Sequence, residues 1–219
     1  MRKRQTSASC LFILVFLISI HSNTFAQQSV YDFSIIKKTD WIFQKNDTLD
    51  YSIDNTGNPN QLLLKREILD AKGASIAYPK NLLFKDGTIE ADIAAGEKSW
   101  FIGLAFRIKD AHRYETIYFR PGATMTNDAV QYMPELTPEF KWWAYEDKKY
   151  KGLAVLPRNG WFHVKLEVKG SSLTVYINNN PKPVYTTEEL DASLDKGSVG
   201  FWLGNCTEAA YKNLKVVAN

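Results

Sequence analysis

The chain has 219 residues, with 27 lysines and arginines against 24 aspartates and glutamates, 13% aromatic residues, two cysteines and three histidines. Arg2, Lys3 and Arg4 account for the whole formal charge of +3, so the remainder is neutral and carries no basic run. That excludes the electrostatic footprint of a nucleic-acid or anionic-membrane binder, and Cys206, the one cysteine beyond residue 26, rules out an internal disulfide there.

Residues 1–26 read as a secretory signal: a basic start at Arg2 to Arg4, an apolar run from Leu11 to Ile20, and a small residue, Ala26, at the cleavage position. The run is shorter than the roughly 20 residues needed to span a bilayer, so no membrane span is expected. Cys10 opens the run rather than closing it, which does not suit a lipidated cysteine. The expectation is an exported protein, periplasmic or extracellular, with one domain over residues 27–219. A domain of about 190 residues can bury its own core without a disulfide, and Cys206 reads as a small buried apolar residue.

Short apolar segments then follow one another between polar turns. Tyr31 to Ile36 reads as an edge strand, followed by Trp41 to Phe43, then Leu49, Tyr51 and Ile53, then Leu62 to Leu64, then Ala74 to Pro79. Lys85-Asp86-Gly87 turns the chain into Thr88 to Ile93, where Ile89, Ala91 and Ile93 alternate with Thr88, Glu90 and Asp92. From Ile102 to Ile108 the alternation sets Ile102, Leu104, Phe106 and Ile108 against Gly103, Ala105 and Arg107. From Arg113 to Arg120 it sets Ile117 and Phe119 against Tyr114, Thr116, Tyr118 and Arg120, and Pro121-Gly122 ends the run. If these two strands pair, Arg107, Tyr118 and Arg120 share a face outside the core.

Further on, Gly152 to Leu156 reads as a short strand, and Trp161 to Val168 alternates as a sheet with one solvated face requires. Leu173 to Ile177 and Val184-Tyr185 flank the Asn178 to Pro181 turn as a hairpin. Thr187 to Leu194 reads as the one short helix, with Thr187 as N-cap and Glu188 and Glu189 in its first turn. Ser198 to Leu203 and Ala210 to Val217 supply the last strands. The predicted fold is all-β: an antiparallel two-sheet sandwich with one short helix.

Phe84-Lys85-Asp86-Gly87-Thr88-Ile89-Glu90-Ala91-Asp92, Trp100 to Arg107, Trp161 to Val168, Gly197-Ser198-Val199-Gly200-Phe201-Trp202 and Tyr211-Lys212-Asn213-Leu214 occur in that order. The succession resembles the concanavalin A-like lectin and glucanase superfamily, a jelly roll of two curved sheets. Phe106-Arg107 followed by Tyr114-Glu115 is more loosely similar to the 3-keto-disaccharide hydrolase family. The superfamily resemblance implies a carbohydrate partner, an oligosaccharide or polysaccharide, lying on the concave sheet.

Sugar recognition needs flat apolar surfaces for the C–H faces of the ring and forked or planar polar groups for the hydroxyls. The ligand-binding residues expected on that basis are Arg107, Tyr118, Arg120, Gln131, Trp142 and Trp143, with Trp100, Tyr132, Tyr145 and Asp128 also in reach. A strand over residues 140–145 would send Trp142 and Trp143 to opposite faces. The competing structural expectation for Arg107 or Arg120 is an ion pair with Glu115 or Asp128.

For a glycoside-acting enzyme, Glu115 and Asp128 are the candidate acids or bases, with Arg107 as a substrate clamp. Glu90-Ala91-Asp92-Ile93-Ala94-Ala95 resembles the laminarinase-type Glu-x-Asp-x-x-Glu run, but Ala95 stands where the third carboxylate belongs. His112 and His163 lack the neighbours of a zinc set, and no serine-hydrolase elbow, phosphate loop or dinucleotide fingerprint occurs. No cofactor is specified; calcium, held by loop carbonyls with acids such as Asp110 or Asp128, is the one left open. The leading expectation is therefore a secreted carbohydrate-binding domain, with a glycoside-acting enzyme as the alternative and a protein-binding or adhesion module as the third.

Overall fold

Segments that alternate apolar and polar side chains form strands, because only an extended backbone sends every second side chain to the same surface. The structure is a computed structural model and describes residues 29–44, 50–57, 59–66, 74–97, 100–139 and 141–219. In chain order the strands are β1 (Ser29–Phe33), β2 (Trp41–Gln44), β3 (Asp50–Asp54), β4 (Gln61–Lys65), β5 (Ser75–Pro79), β6 (Gly87–Ala95) and β7 (Ile102–Asp110). They continue as β8 (Arg113–Phe119), β9 (Val130–Tyr132), β10 (Lys151–Gly152), β11 (Gly160–Lys169), β12 (Ser172–Ile177), β13 (Tyr185–Thr187), β14 (Ser198–Leu203) and β15 (Glu208–Ala218). Residues 1–26 and Leu49 lie outside the described residues.

Two antiparallel sheets result. The first runs β13-β12-β11-β6-β15-β4-β3, with β1 paired to the C-terminal half of β15, and the second runs β10-β9-β8-β7-β14-β5-β2. Between them lie Ile89, Ala91, Ile93, Val164 and Leu166 of the first sheet and Leu104, Phe106, Ile117, Phe119 and Phe201 of the second. Trp41 stacks on Phe201 at 5.4 Å and Phe201 on Tyr211 at 4.6 Å, so the aromatic side chains tie the sheets together. Burial on β6 follows the expected alternation, with Ile89, Ala91 and Ile93 wholly buried and Thr88, Glu90 and Asp92 part-exposed on the outer face.

The turn into β6 requires glycine at position 87. Its φ is +134°, and a side chain there would collide with the Val217 carbonyl oxygen on neighbouring β15.

Three sequence expectations are corrected. Thr187 to Leu194 forms no helix: Thr187 ends β13, Leu190 donates its backbone N–H to Ser171 O, and Leu190 and Leu194 are both buried. The chain must cross from the first sheet to the second here, and the Thr187 hydroxyl accepts from Glu189 N at 3.1 Å without starting a helix. Gly152 to Leu156 pairs as a strand only at Lys151–Gly152, because the Thr124 side chain takes both the N–H and the C=O of Leu156. Trp142–Tyr145 is a 3-10 turn, so Trp142 and Trp143 are not sent to opposite faces of a sheet.

Candidate functional site

β7 and β8 pair antiparallel, with Phe106 opposite Glu115 and the register broken between Phe106 and Asp110. Arg107 sits in that bulge with φ +50°, and the bulge turns its side chain away from the face that carries Tyr118. The shared face expected for Arg107, Tyr118 and Arg120 is therefore wrong for Arg107, and Ile108 moves to the outer cluster in the same step. The Arg107 guanidinium donates to Glu115 Oε1 at 2.9 Å, Asp86 Oδ1 at 3.1 Å, Lys85 O at 2.9 Å and Gly170 O at 2.7 Å. It joins a β7–β8 pair of one sheet to two turns of the other.

Glu115 faces inward because it shares the alternation of Ile117 and Phe119, and it is wholly buried. Its second oxygen accepts from the Tyr132 hydroxyl at 2.7 Å, and that hydroxyl also accepts from Asp191 N at 3.2 Å. Burial pushes the Glu115 carboxyl up to about 7, against the opposing pull of the Tyr132 hydroxyl and Arg107. A carboxylate with no exposed surface and both oxygens occupied cannot reach a glycosidic bond, so Glu115 holds structure rather than performing chemistry.

Folded-state protonation of Glu115 has a measurable consequence. With a folded value of about 7 above the ordinary 4.5, the folded protein holds a proton that the unfolded chain has released between those values. Stability is therefore expected to fall as pH rises across that window, by up to about 3 kcal/mol. Glu135, also raised by burial, adds slope of the same sign. Urea unfolding across the window should show a clearly shallower decline for Glu115→Gln than for the parent.

The outer face of the second sheet holds Tyr118. Gly103 lies opposite it, and only a residue without a side chain lets the Tyr118 Cβ come so close. The Tyr118 ring stacks on Trp202 at 5.3 Å and meets Phe101 edge-on at 6.0 Å. Its hydroxyl donates to Gln131 Oε1 at 2.6 Å, and Gln131 Nε2 donates to Tyr145 O at 2.7 Å. Gln131 thus spends both ends of its amide fastening Tyr118 to the 142–145 turn. Ile76, Tyr78, Tyr114, Met133 and Trp202 complete a second buried cluster on this face. Its middle is consequently core, with Tyr118 only 6% and Trp202 only 1% exposed.

Accessible chemistry sits at the rim. The Arg120 guanidinium lies 5.3 Å above the Phe101 ring. Lys151 Nζ bridges Asp128 at 2.9 Å and Glu146 at 3.0 Å. Charges on Arg120, Glu146 and Asp128 all act on the Tyr118 hydroxyl, and Arg120 acts on Asp128 as well. The hydrogen bond from Lys151 holds Asp128 below the usual carboxylate range, so Asp128 is a charged acceptor and not a proton donor. One residue before Glu146 the 3-10 turn ends, and it presents Trp142 and Trp143 edge to face at 6.2 Å, 49% and 56% exposed. Lys151, Glu146 and Phe101 escaped the sequence reading, since no spacing links Lys151 to two acids that only the fold brings to it.

Of the remaining groups, Glu90 and Asp92 lie on the first sheet's outer face beside His163, and Ala95 leaves the laminarinase pattern without its third carboxylate. His163 Nδ1 pairs with Asp92 at 2.8 Å. Asp110 is bonded to Arg113 and Asp128 to Lys151. Among the described residues no three His, Cys, Asp or Glu side chains converge as a metal set. Cys206 is buried and free.

No protein-family model matches the chain, and no curated protein matches it. Solved structures do. The carbohydrate-binding module CBM66 from Bacillus subtilis is similar with a TM-score of 0.59 at 18% identity, covering 81% of this chain and 95% of that one. A Bacillus subtilis protein with a galectin-like fold has a TM-score of 0.57 at 15% identity, covering 86% and 94%. A native glycosidic hydrolase has a TM-score of 0.52 at 14% identity, again over 86% and 94%. At these identities the likeness establishes the fold alone, a two-sheet antiparallel jelly roll. A binding module and a hydrolase share it, so the fold leaves the chemistry to the site.

Proposed function

We propose that this is an exported carbohydrate-binding domain whose ligand lies on the rim of the second sheet's outer face, between Arg120 and the exposed pair Trp142 and Trp143. The observation that carries the reading is that pair of half-exposed tryptophans on a turn fastened by Gln131 to Tyr118, beside a cluster of Arg120, Asp128, Glu146 and Lys151. Two large apolar faces next to forked donors and charged acceptors are what a sugar ring with hydroxyls requires. The charges of the cluster sum to zero, which suits a neutral glycan. The similarity to a carbohydrate-binding module supports the class of ligand, and the signal-like residues 1–26 support export.

Arg107 drops out of this site and Tyr118 and Gln131 act as its floor, while Arg120, Trp142 and Trp143 make contact. A glycoside-acting enzyme draws less support from the geometry: Glu115 is sealed from solvent, and Asp128, held as an anion by Lys151, suits a base or nucleophile but not the acid. The filled middle of the outer face favours a different second reading, in which Trp142 and Trp143 anchor a partner protein.

A glycan array probed with the chain from Gln27, with calcium and with chelator, tests the proposal. At least one glycan should bind, and Arg120→Ala should lower its affinity at least tenfold without altering the thermal midpoint. Failure of every glycan in both conditions sinks the carbohydrate reading and leaves the protein-binding one. Loss of binding with chelator alone would assign calcium a part in the site.

A further inference from the structure

The outer face of the first sheet, on the opposite side of the sandwich from Arg120, is indented. A groove of about 290 Å³ is lined by Lys165 of β11, Tyr176 of β12 and Asn179, Asn180 and Pro181 of the turn that follows. Lys165 and Tyr176 stand directly opposite each other on paired strands, so their side chains share the outer face. Asn178 and Asn179 both have positive φ, at +52° and +57°, which bends the turn tightly. The Asn178 side chain is committed to His163 N at 2.9 Å. Asn180 Oδ1 accepts from Lys182 N at 2.9 Å, leaving its amide nitrogen to the groove, and the Asn179 carboxamide has no partner among the described residues.

We infer that this groove is a second saccharide site, taking one neutral pyranose ring. The aromatic ring of Tyr176 and the pyrrolidine of Pro181 supply apolar surface, and the Asn179 and Asn180 amides supply donors and an acceptor for vicinal hydroxyls. Lys165 is neutralised by Glu167 at 2.7 Å and rests 4.9 Å over Tyr176, so the lining has no uncompensated charge to select an acidic sugar. The volume lies at the small end of the range for ligand pockets, which fits a single ring rather than a chain. With one site on each outer face, the domain bridges two glycan chains. The two sites share no residue, so either stands if the other fails.

Side-chain amide signals in 1H–15N spectra of the chain from Gln27 read the site directly, with the methyl glycosides of glucose, galactose, mannose and N-acetylglucosamine as probes. The Asn179 and Asn180 signals should shift saturably with at least one probe, and should do so equally in a Trp142→Ala/Trp143→Ala variant. Tyr176→Ala should weaken that response at least tenfold. Asn179→Gly, which glycine's tolerance of positive φ keeps foldable, should do the same. No saturable shift with any probe, or a response untouched by both Tyr176→Ala and Asn179→Gly, overturns the inference.

Discussion

Arg107→Ala is expected to cost about 3 to 5 kcal/mol of folding stability at a pH above the Glu115 value of about 7. The loss removes four hydrogen bonds at once, to Glu115, Asp86, Lys85 O and Gly170 O, and strands a wholly buried carboxylate with only the Tyr132 hydroxyl. An unpaired buried charge is more expensive than the pair it came from was worth. The variant escapes part of the penalty by protonating Glu115, which has already moved toward neutrality in the parent. The cost should therefore shrink as pH falls below about 7. Urea unfolding of parent and variant on either side of that value measures both statements. A cost under 1 kcal/mol, or one independent of pH, would show that Arg107 is not the keystone of this end of the sandwich. An arginine free on a sugar-binding face, as the alternation suggested, would behave in that second way.

Trp202→Ala is the companion test on the other face. The side chain is 1% exposed, stacks on Tyr118 at 5.3 Å, and donates its indole N–H to the Tyr114 hydroxyl at 3.4 Å. Truncation leaves a cavity lined by rings that cannot collapse, and such large-to-small changes cost about 3 to 5 kcal/mol. For a domain of this size the thermal midpoint should drop on the order of 10 °C. A tryptophan serving as an open platform for a ligand would lose binding and keep its midpoint. The two outcomes separate a packed outer face from a vacant one, and the burial of Tyr118 and Met133 beside Trp202 predicts the first.

Strand pattern carried most of the fold. The alternation of Ile89, Ala91 and Ile93, and of Ile117 with Phe119 against Tyr118, survives intact because regular strands obey a two-residue period whatever their neighbours. The failures occur where the chain departs from regularity for tertiary reasons. Phe106-Arg107-Ile108 contains no glycine or asparagine to announce a positive φ, yet the bulge at Arg107 reverses every facing after it. Thr187-Glu188-Glu189 has the residues of a helix start, but burial of Leu190 and Leu194 in an irregular crossing with a turn at Asp191 outweighs a propensity of a few tenths of a kcal/mol per residue. At the site, Tyr118, Arg120, Trp142 and Trp143 were legible as residue types. Which of them meet solvent was not, since that depends on Gly103 admitting Tyr118 and on Gln131 holding the 142–145 turn against it. The ion pair between Arg107 and Glu115 was open to the sequence as the structural alternative, and it is the arrangement found.

The division of labour that emerges sets a rigid aromatic floor beneath a small accessible rim. On the proposed reading such a floor adds no contact of its own but fixes the rim geometry before a ligand arrives, and preorganisation of this kind would lower the entropic cost of binding. The turn that carries Trp142 and Trp143 is held by the Gln131 bond to the Tyr145 carbonyl and by Tyr145 packing edge-on against Tyr132 and Tyr150, and both tryptophans are half-exposed. The most direct measurement is isothermal titration of the best glycan from the array against the parent chain and against Trp142→Ala/Trp143→Ala. The account expects the double variant to keep its thermal midpoint and to lose at least a hundredfold in affinity. Undiminished affinity in a folded double variant would contradict it and move the ligand away from the rim of the second sheet.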